Sequence, residues 1–433
     1  MRTFWFESKK IAKKRTTWLA FLLTIMTVIT IYLLNFSVAK DIYEGNITKL
    51  KNDVITTEGY INSFAKELDI AEEADDSDTV KELGLIIEGY EKNKALKQER
   101  IKAFEEQDWE TILKGEISDL NFLFEAGAGA TTPPMSIEEQ DTSWFTFRAT
   151  LEEKKHLLDY KVVPIVQNTT DVGFLPTYYD NFTGKSLEQW KQMTKRYGVT
   201  GYSFLYQLIQ LLYIPIIVLL GCLIFGNGIS SESGKKKHGL HFFAVLPSRK
   251  GNVFIAKYAS GLMYTLVFSL IMLMVPVFCS VFTVGIGSLD YPVLVYDGPE
   301  PNPFGDEYTT LDPMKDTFHF IMLKEYIGYV LLFNVVLVFF LYSLYFFISL
   351  SVRNPGVTIS ILVALIFVGM SIYQNEYNPF TYIDIDQIIT REKAVIDLDS
   401  AITYKTGLIL LISVGFFATV IGYIRFKYSY WKA

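Results

Sequence analysis

The residues with the most chemical content in this chain lie between two apolar runs. They begin with Ser230-Ser231-Glu232-Ser233-Gly234 and a cluster of Lys235, Lys236 and Lys237. A Leu246-Pro247-Ser248-Arg249 turn follows, and Lys257 opens the next apolar run. Pro247 stops a helix and Ser248 is placed to cap the next one. With Phe242 and Phe243 between them, these groups make a compact, basic, aromatic surface suited to docking in a groove of another protein. That is recognition chemistry. Groups that make or break bonds are scarce elsewhere. His156, His238, His241 and His319 are scattered, and the pair three apart, His238 and His241, has no third ligand or cysteine nearby. No metal site is expected. No HExxH, GxSxG or Cys/His protease pattern occurs. A phosphate-binding loop needs G-x-x-x-x-G-K-[ST]. Gly184-Lys185-Ser186 has that ending, but Tyr179 stands where the first glycine belongs; Gly234-Lys235-Lys236 fails at its last position and has Ile229 at its first. The chain is expected to hold no catalytic residue, cofactor or metal of its own.

The elements that position this loop are apolar. Half of the 433 residues are hydrophobic, mean hydropathy is +0.24 and net charge is −7. A soluble enzyme, a secreted disulfide scaffold and a disordered regulator are excluded, and no nucleic-acid partner is expected. Cys222 and Cys279 both sit in apolar runs and read as buried free thiols. A spanning helix needs about 20 mostly apolar residues. Six stretches qualify: 17–38, 202–225, 258–285, 326–351, 357–373 and 406–424. The fold class expected is an all-α polytopic membrane protein with six transmembrane helices.

Flanking charge orients these spans, because Lys and Arg accumulate on the cytoplasmic side. Arg2, Lys9, Lys10, Lys13, Lys14 and Arg15 precede the first span. Lys235, Lys236, Lys237, Arg249 and Lys250 follow the second, Arg353 the fourth, and Arg425, Lys427 and Lys432 the last. All fall on one side, so both termini are expected in the cytoplasm, with a tail at 425–433. Connections 286–325 and 374–405 are acidic and fall outside. A cleaved signal peptide is the competing reading of the first span; its apolar stretch is longer than the usual 7–15 residues. Residues 1–16 interleave Phe4, Trp5, Phe6 and Ile11 with lysines, as an interfacial helix does. Span interiors carry almost no charge, so uphill movement would draw energy from a partner. Asn334 is a polar exception, read as an interhelical hydrogen bond.

Residues 39–201 form a connection too long to be structureless and read as a mainly helical extracellular domain. Two long helices are expected over 41–68 and 78–125, a break at Gly127–Pro134, a helix over 151–161, a short strand over 162–166, and a helix over 186–197 capped by Ser186. Its aromatics read as packing residues.

The loop at 226–257 resembles the coupling helix of the membrane subunit of type 2 (ABC-2) ABC transporters, which carries an E…G…LP-S/T-R…K pattern between the second and third spans. The matching positions are Glu232, Gly234, Leu246, Pro247, Ser248, Arg249 and Lys257. Asn378-Pro379-Phe380 resembles the family's NPF-like segment before the last span, where short outer helices dip back toward the membrane, and residues 1–16 resemble its elbow helix. Each residue also has a plainer role: Glu232 as partner of the lysine cluster, Pro247 as a helix stop, Arg249 as a topology signal. The resemblance implies a permease whose partners are two ABC ATPase subunits binding ATP and Mg, a second permease copy or related chain, and membrane lipids. The large domain after the first span departs from polysaccharide exporters. It is similar to branches linked to peptides, antimicrobials or lipids in the plasma membrane of Gram-positive bacteria. Export of a peptide, antimicrobial or lipid-like amphipathic substrate is the leading expectation. A receptor or assembly scaffold, with the outer domain binding a ligand and the inner loop recruiting a partner, is the alternative; an intramembrane enzyme is disfavoured by the missing catalytic groups.

Overall fold

The computed structural model describes residues 2–129, 142–180, 182–232, 250–297, 317–352 and 354–429. The chain divides into two units. One comprises Met1–Leu34, Thr200–Gly305 and Met314–Ala433, the other Asn35–Val199 and Asp306–Pro313.

In the first unit, α1 (Arg2–Lys13) ends at Lys14, and α2 starts at Arg15 and runs unbroken to Glu73. The division between the units therefore falls inside α2. Among the described residues, five helices are long and apolar enough to cross a bilayer: Arg15–Glu73, Tyr213–Ser230, Lys250–Val281, Leu323–Ser349 and Tyr404–Tyr428. They correspond to the first, second, third, fourth and sixth apolar runs. The fifth run forms α12 (Pro355–Ser371), 17 residues long, or about 26 Å at 1.5 Å per residue. Asn354 caps it by accepting from the Gly356 N–H, and Pro355 sits in its first turn, where its missing N–H costs nothing.

The second run is not one helix. It divides into α7 (Gly201–Gln210) and α8 (Tyr213–Phe225), which runs on toward α9 (Gly228–Glu232). Leu212 adopts φ +58° at the break. Pro215 explains it: a proline ring clashes with the carbonyl four residues back, here that of Leu211, and cannot return a hydrogen bond to it.

α10 (Lys250–Val281) and α11 (Leu323–Ser349) follow, then α15 (Tyr404–Ser429). α11 is the centre of the bundle and packs against α8, α10, α12 and α15. Phe333, Phe340, Leu337, Leu341 and Tyr345 on it are wholly buried. Hydroxyls and an amide join the helices where side chains meet away from solvent. Ser269 Oγ donates to Asn334 Oδ1 at 2.7 Å, the interhelical bond expected of Asn334. The Tyr258 and Ser343 hydroxyls lie 2.7 Å apart, with Thr419 Oγ1 3.1 Å from each. Cys222 is buried but Cys279 only half-buried, and both are free.

A two-stranded antiparallel sheet was not expected. β1 (Pro292–Tyr296) pairs with β2 (Phe318–Met322), Leu294 opposite Phe320. Every residue of β1 is buried, and its apolar run without alternation is what a covered strand requires. The strand was hidden because its neighbours are acidic and turn-rich. Between α12 and α15 lie a 3-10 turn (Pro379–Ile383), α13 (Ile385–Ile389) and α14 (Glu392–Ile396).

In the second unit, the distal part of α2 and α3 (Ser77–Glu106) lie antiparallel. Tyr60 and Phe64 meet Tyr90, Glu58 pairs with Lys94 at 2.7 Å, and Lys51 pairs with Glu105 at 2.6 Å. Asp76 caps α3 through the Thr79 N–H, and Asp108 accepts from the Thr111 N–H at the start of α4 (Trp109–Gly129). α5 (Trp144–Asp159) starts earlier than expected because Ser143, a capping residue, precedes it. α6 (Gly184–Met193) starts at Gly184, φ +58°, with Thr183 at the N-cap. Ser186 is therefore not the cap; its hydroxyl donates to the Thr183 carbonyl. The strand expected over 162–166 reduces to one bridge, Val166 with Tyr197. The aromatics pack on one another: Phe182 stacks on Trp190 at 4.5 Å, and Phe174 meets both Phe147 and Trp190. Two ion pairs are buried here, Arg196 with Glu153 through two bonds of 2.6 Å and Lys154 with Glu116 at 2.7 Å.

Candidate coupling site

Of the expected coupling residues, Glu232 closes α9. Gly234, Leu246, Pro247, Ser248 and Arg249 lie outside the described residues. Lys257 lies two turns into α10. It is not on a docking surface. Its ammonium is buried and donates to Glu7 Oε1 of α1 at 3.0 Å, with both side chains at most 5% exposed. A buried pair of this kind offsets its desolvation only through close geometry, and losing one partner strands a charge. Glu7 was not singled out from the sequence. The signal was present: it is the lone acid among the basic residues Arg2 to Arg15.

The first turns of α10 are held on several sides at once. Phe254 packs on Phe346 of α11 and on Tyr423 and Phe426 of α15, with ring centroids 5.3–5.6 Å apart. The Tyr264 hydroxyl donates to the Ser8 carbonyl of α1 at 3.2 Å. Trp18 Nε1 donates to the Ala12 carbonyl at 2.7 Å and fixes the corner between α1 and α2. A displacement of residue 250 would therefore be felt by α1, α11 and α15 together, since packed interfaces respond as units.

The Asn378-Pro379-Phe380 segment begins the 3-10 turn. Asn378 Oδ1 accepts from the Phe380 N–H at 3.0 Å, and Asn378 Nδ2 donates to the Gly369 carbonyl at 2.9 Å, tying the turn to the end of α12. The ring of Phe380 occupies the space a side chain at Gly369 would fill, and Tyr382 does the same at Gly407 of α15. A glycine on each helix thus admits one aromatic of the turn, and the segment is a wedge between α12 and α15.

Beyond the wedge, Asp386 of α13 is buried and accepts from the Tyr326 hydroxyl at 2.6 Å. Burial pushes its carboxyl up to about 8; the Tyr326 bond acts against this, while Asp384 and Glu392 add to it. Burial, then the Asp384 charge, likewise raises Glu392 to about 7. At β1, Asp297 lies 2.5 Å from His319 Nδ1 and 3.8 Å from Arg391.

Long apolar helices packed through a shared central helix, with short covered turns between them, define a multi-pass helical membrane protein. Residues 14–386 match the family described as ABC-2 family transporter protein, and the chain belongs to that family. It is accordingly a membrane permease subunit and not itself catalytic, in a family that generally works with ABC ATPase partners. Neither the curated proteins nor the solved structures compared with it gave a match.

Proposed function

We propose that this permease is the membrane half of an ATP-driven exporter with six spans and both termini in the cytoplasm. Two ATPase subunits, holding ATP and Mg, grip the loop at 226–257 from below, and a second permease copy or related chain completes the pathway. ATP-driven closure of the ATPases moves the loop, and the α10 base passes that motion to α1, α11 and α15. The observation that carries this reading is the family match together with the anchoring of Phe254 and Lys257 at the end of the loop. In this reading Glu232, Gly234, Leu246, Pro247, Ser248 and Arg249 contact the ATPase, Lys257 relays, and Asn378, Pro379 and Phe380 border the outer end of the pathway. The cargo is an amphipathic peptide, antimicrobial or lipid-like molecule, consistent with spans almost free of charge, and the host membrane is that of a Gram-positive bacterium. Residues 39–201 form the extracellular domain.

The test is affinity purification of the tagged chain in mild detergent with an ATPase assay. A P-loop subunit should co-purify with vanadate-sensitive hydrolysis, and Arg249→Glu should remove both. If no ATPase subunit is captured even after gentle crosslinking, the coupling reading fails.

A further inference from the structure

Two cavities meet where α1, α2, α8 and α10 converge, and they differ in chemistry. The first, about 200 Å³, is lined by Glu7, Lys10, Lys14, Asn227 and Lys257. The second, about 140 Å³, is almost wholly apolar, lined by Trp18, Phe21, Tyr264, Val267, Phe268 and Ile271. Ile11, Thr17 and Phe225 line both, so the basic cavity and the apolar one are direct neighbours.

Among the described residues, three lysines and one carboxylate line the first cavity. Lys257 and Glu7 form the buried floor, while Lys10 and Lys14 stand exposed at the rim, Lys14 Nζ donating to Asn227 Oδ1 at 3.3 Å. The Lys10 ammonium is held below its ordinary value, first by desolvation and then by the charge of Lys257, with Glu7 acting against this and Lys14 adding to it. The second cavity is open on its outer side: Trp18 is 53% exposed and Val267 and Ile271 about 40%. These belong to helices apolar enough to span a bilayer. A basic rim at the end of such helices, continued by an apolar groove along them, matches the shape of one molecule with an anionic head and an acyl chain.

We propose that the junction of α1, α2, α8 and α10 is a binding site for an anionic phospholipid, its phosphate held by Lys10, Lys14 and Asn227 and one acyl chain lying along Trp18, Phe21, Val267 and Ile271. The lipid would brace α1 against α10. The site holds the elbow helix in place through a membrane component, so it ties the permease to the lipid composition around it.

The test is native mass spectrometry of the full chain from mild detergent, titrated with equal amounts of dioleoylphosphatidylglycerol and dioleoylphosphatidylcholine. Phosphatidylglycerol should be retained at least about tenfold better. The double variant Lys10→Gln/Lys14→Gln should weaken it by about ten- to thirtyfold, and Lys10→Arg/Lys14→Arg should restore it. Ile271→Trp should reduce retention with no change of charge. Equal retention of the two lipids, or retention indifferent to the lysine variants, would overturn the proposal. Displacement by glycerol 1-phosphate or inorganic phosphate at millimolar concentration would overturn it as well, showing a plain anion site with no use for the groove.

Discussion

Lys257 of α10 and Glu7 of α1 face each other at 3.0 Å, both buried, across 250 residues of sequence. Helix α1 is thereby fastened to the helix that leaves the candidate coupling loop. Glu7→Gln or Lys257→Met alone should destabilise the chain by about 3–5 kcal/mol, because each leaves one buried charge without its partner. The double variant Glu7→Leu/Lys257→Met should recover most of the loss. Thermal unfolding in detergent measures this; equal losses in single and double variants would refute the pairing argument.

Asp386 sets a pH dependence whose sign is fixed by its surroundings. Its folded-state value of about 8 stands above the ordinary carboxylate value near 4, so between these limits the folded chain binds more protons than the unfolded one. The Asp386 contribution to stability should therefore be fully present below about pH 4 and be lost as pH rises toward 8. Glu392, raised to about 7, pulls the same way up to that pH. Asp386→Asn should flatten most of the decline in a melting series from pH 5 to 9. An unchanged slope in that variant would locate the effect elsewhere.

The wedge at Phe380 tolerates no side chain at Gly369. Gly369→Ala should destabilise by about 1–3 kcal/mol through overpacking, and Phe380→Leu in the same chain should return part of it. If Gly369→Ala melts like the parent, Phe380 is not seated as described.

In the second unit, Arg196 and Glu153 are joined by two parallel bonds of 2.6 Å with Glu153 fully buried. Lysine cannot reproduce that fork. Arg196→Lys should speed limited proteolysis of residues 142–199 severalfold while leaving the apolar helices resistant. Uniform resistance throughout would count against a structural role for the pair.

Most of the helical framework is legible from apolar length alone, since a bilayer imposes it: the runs at 17–38 and 406–424 fall inside long helices, and those at 258–285 and 326–351 overrun theirs by a few residues at the C-terminal end. The second run misleads because apolar length is blind to Pro215, whose effect is a local clash and not a change of hydropathy. β1 was missed for the opposite reason: Val293, Leu294 and Val295 are too few to stand out, and their burial depends on what packs over them. At the coupling site, Lys257 could be placed by pattern but its direction could not. A pattern gives the position along α10, whereas Glu7 comes from the far end of the sequence. The glycine notches at Gly369 and Gly407 were equally invisible, because a missing side chain signals nothing until its neighbour is known.

The break at Leu212 has a consequence for how the chain is made. Insertion machinery reads hydrophobicity as a segment emerges, before any partner helix is present. Residues 202–225 would be read as one uninterrupted apolar segment, although Pro215 already divides it locally, and Tyr206 would meet Tyr326 of α11, a residue synthesised more than a hundred positions later, only afterwards. The second run thus carries its division from the start, hidden from a hydrophobicity reading and used only when its partner helix arrives.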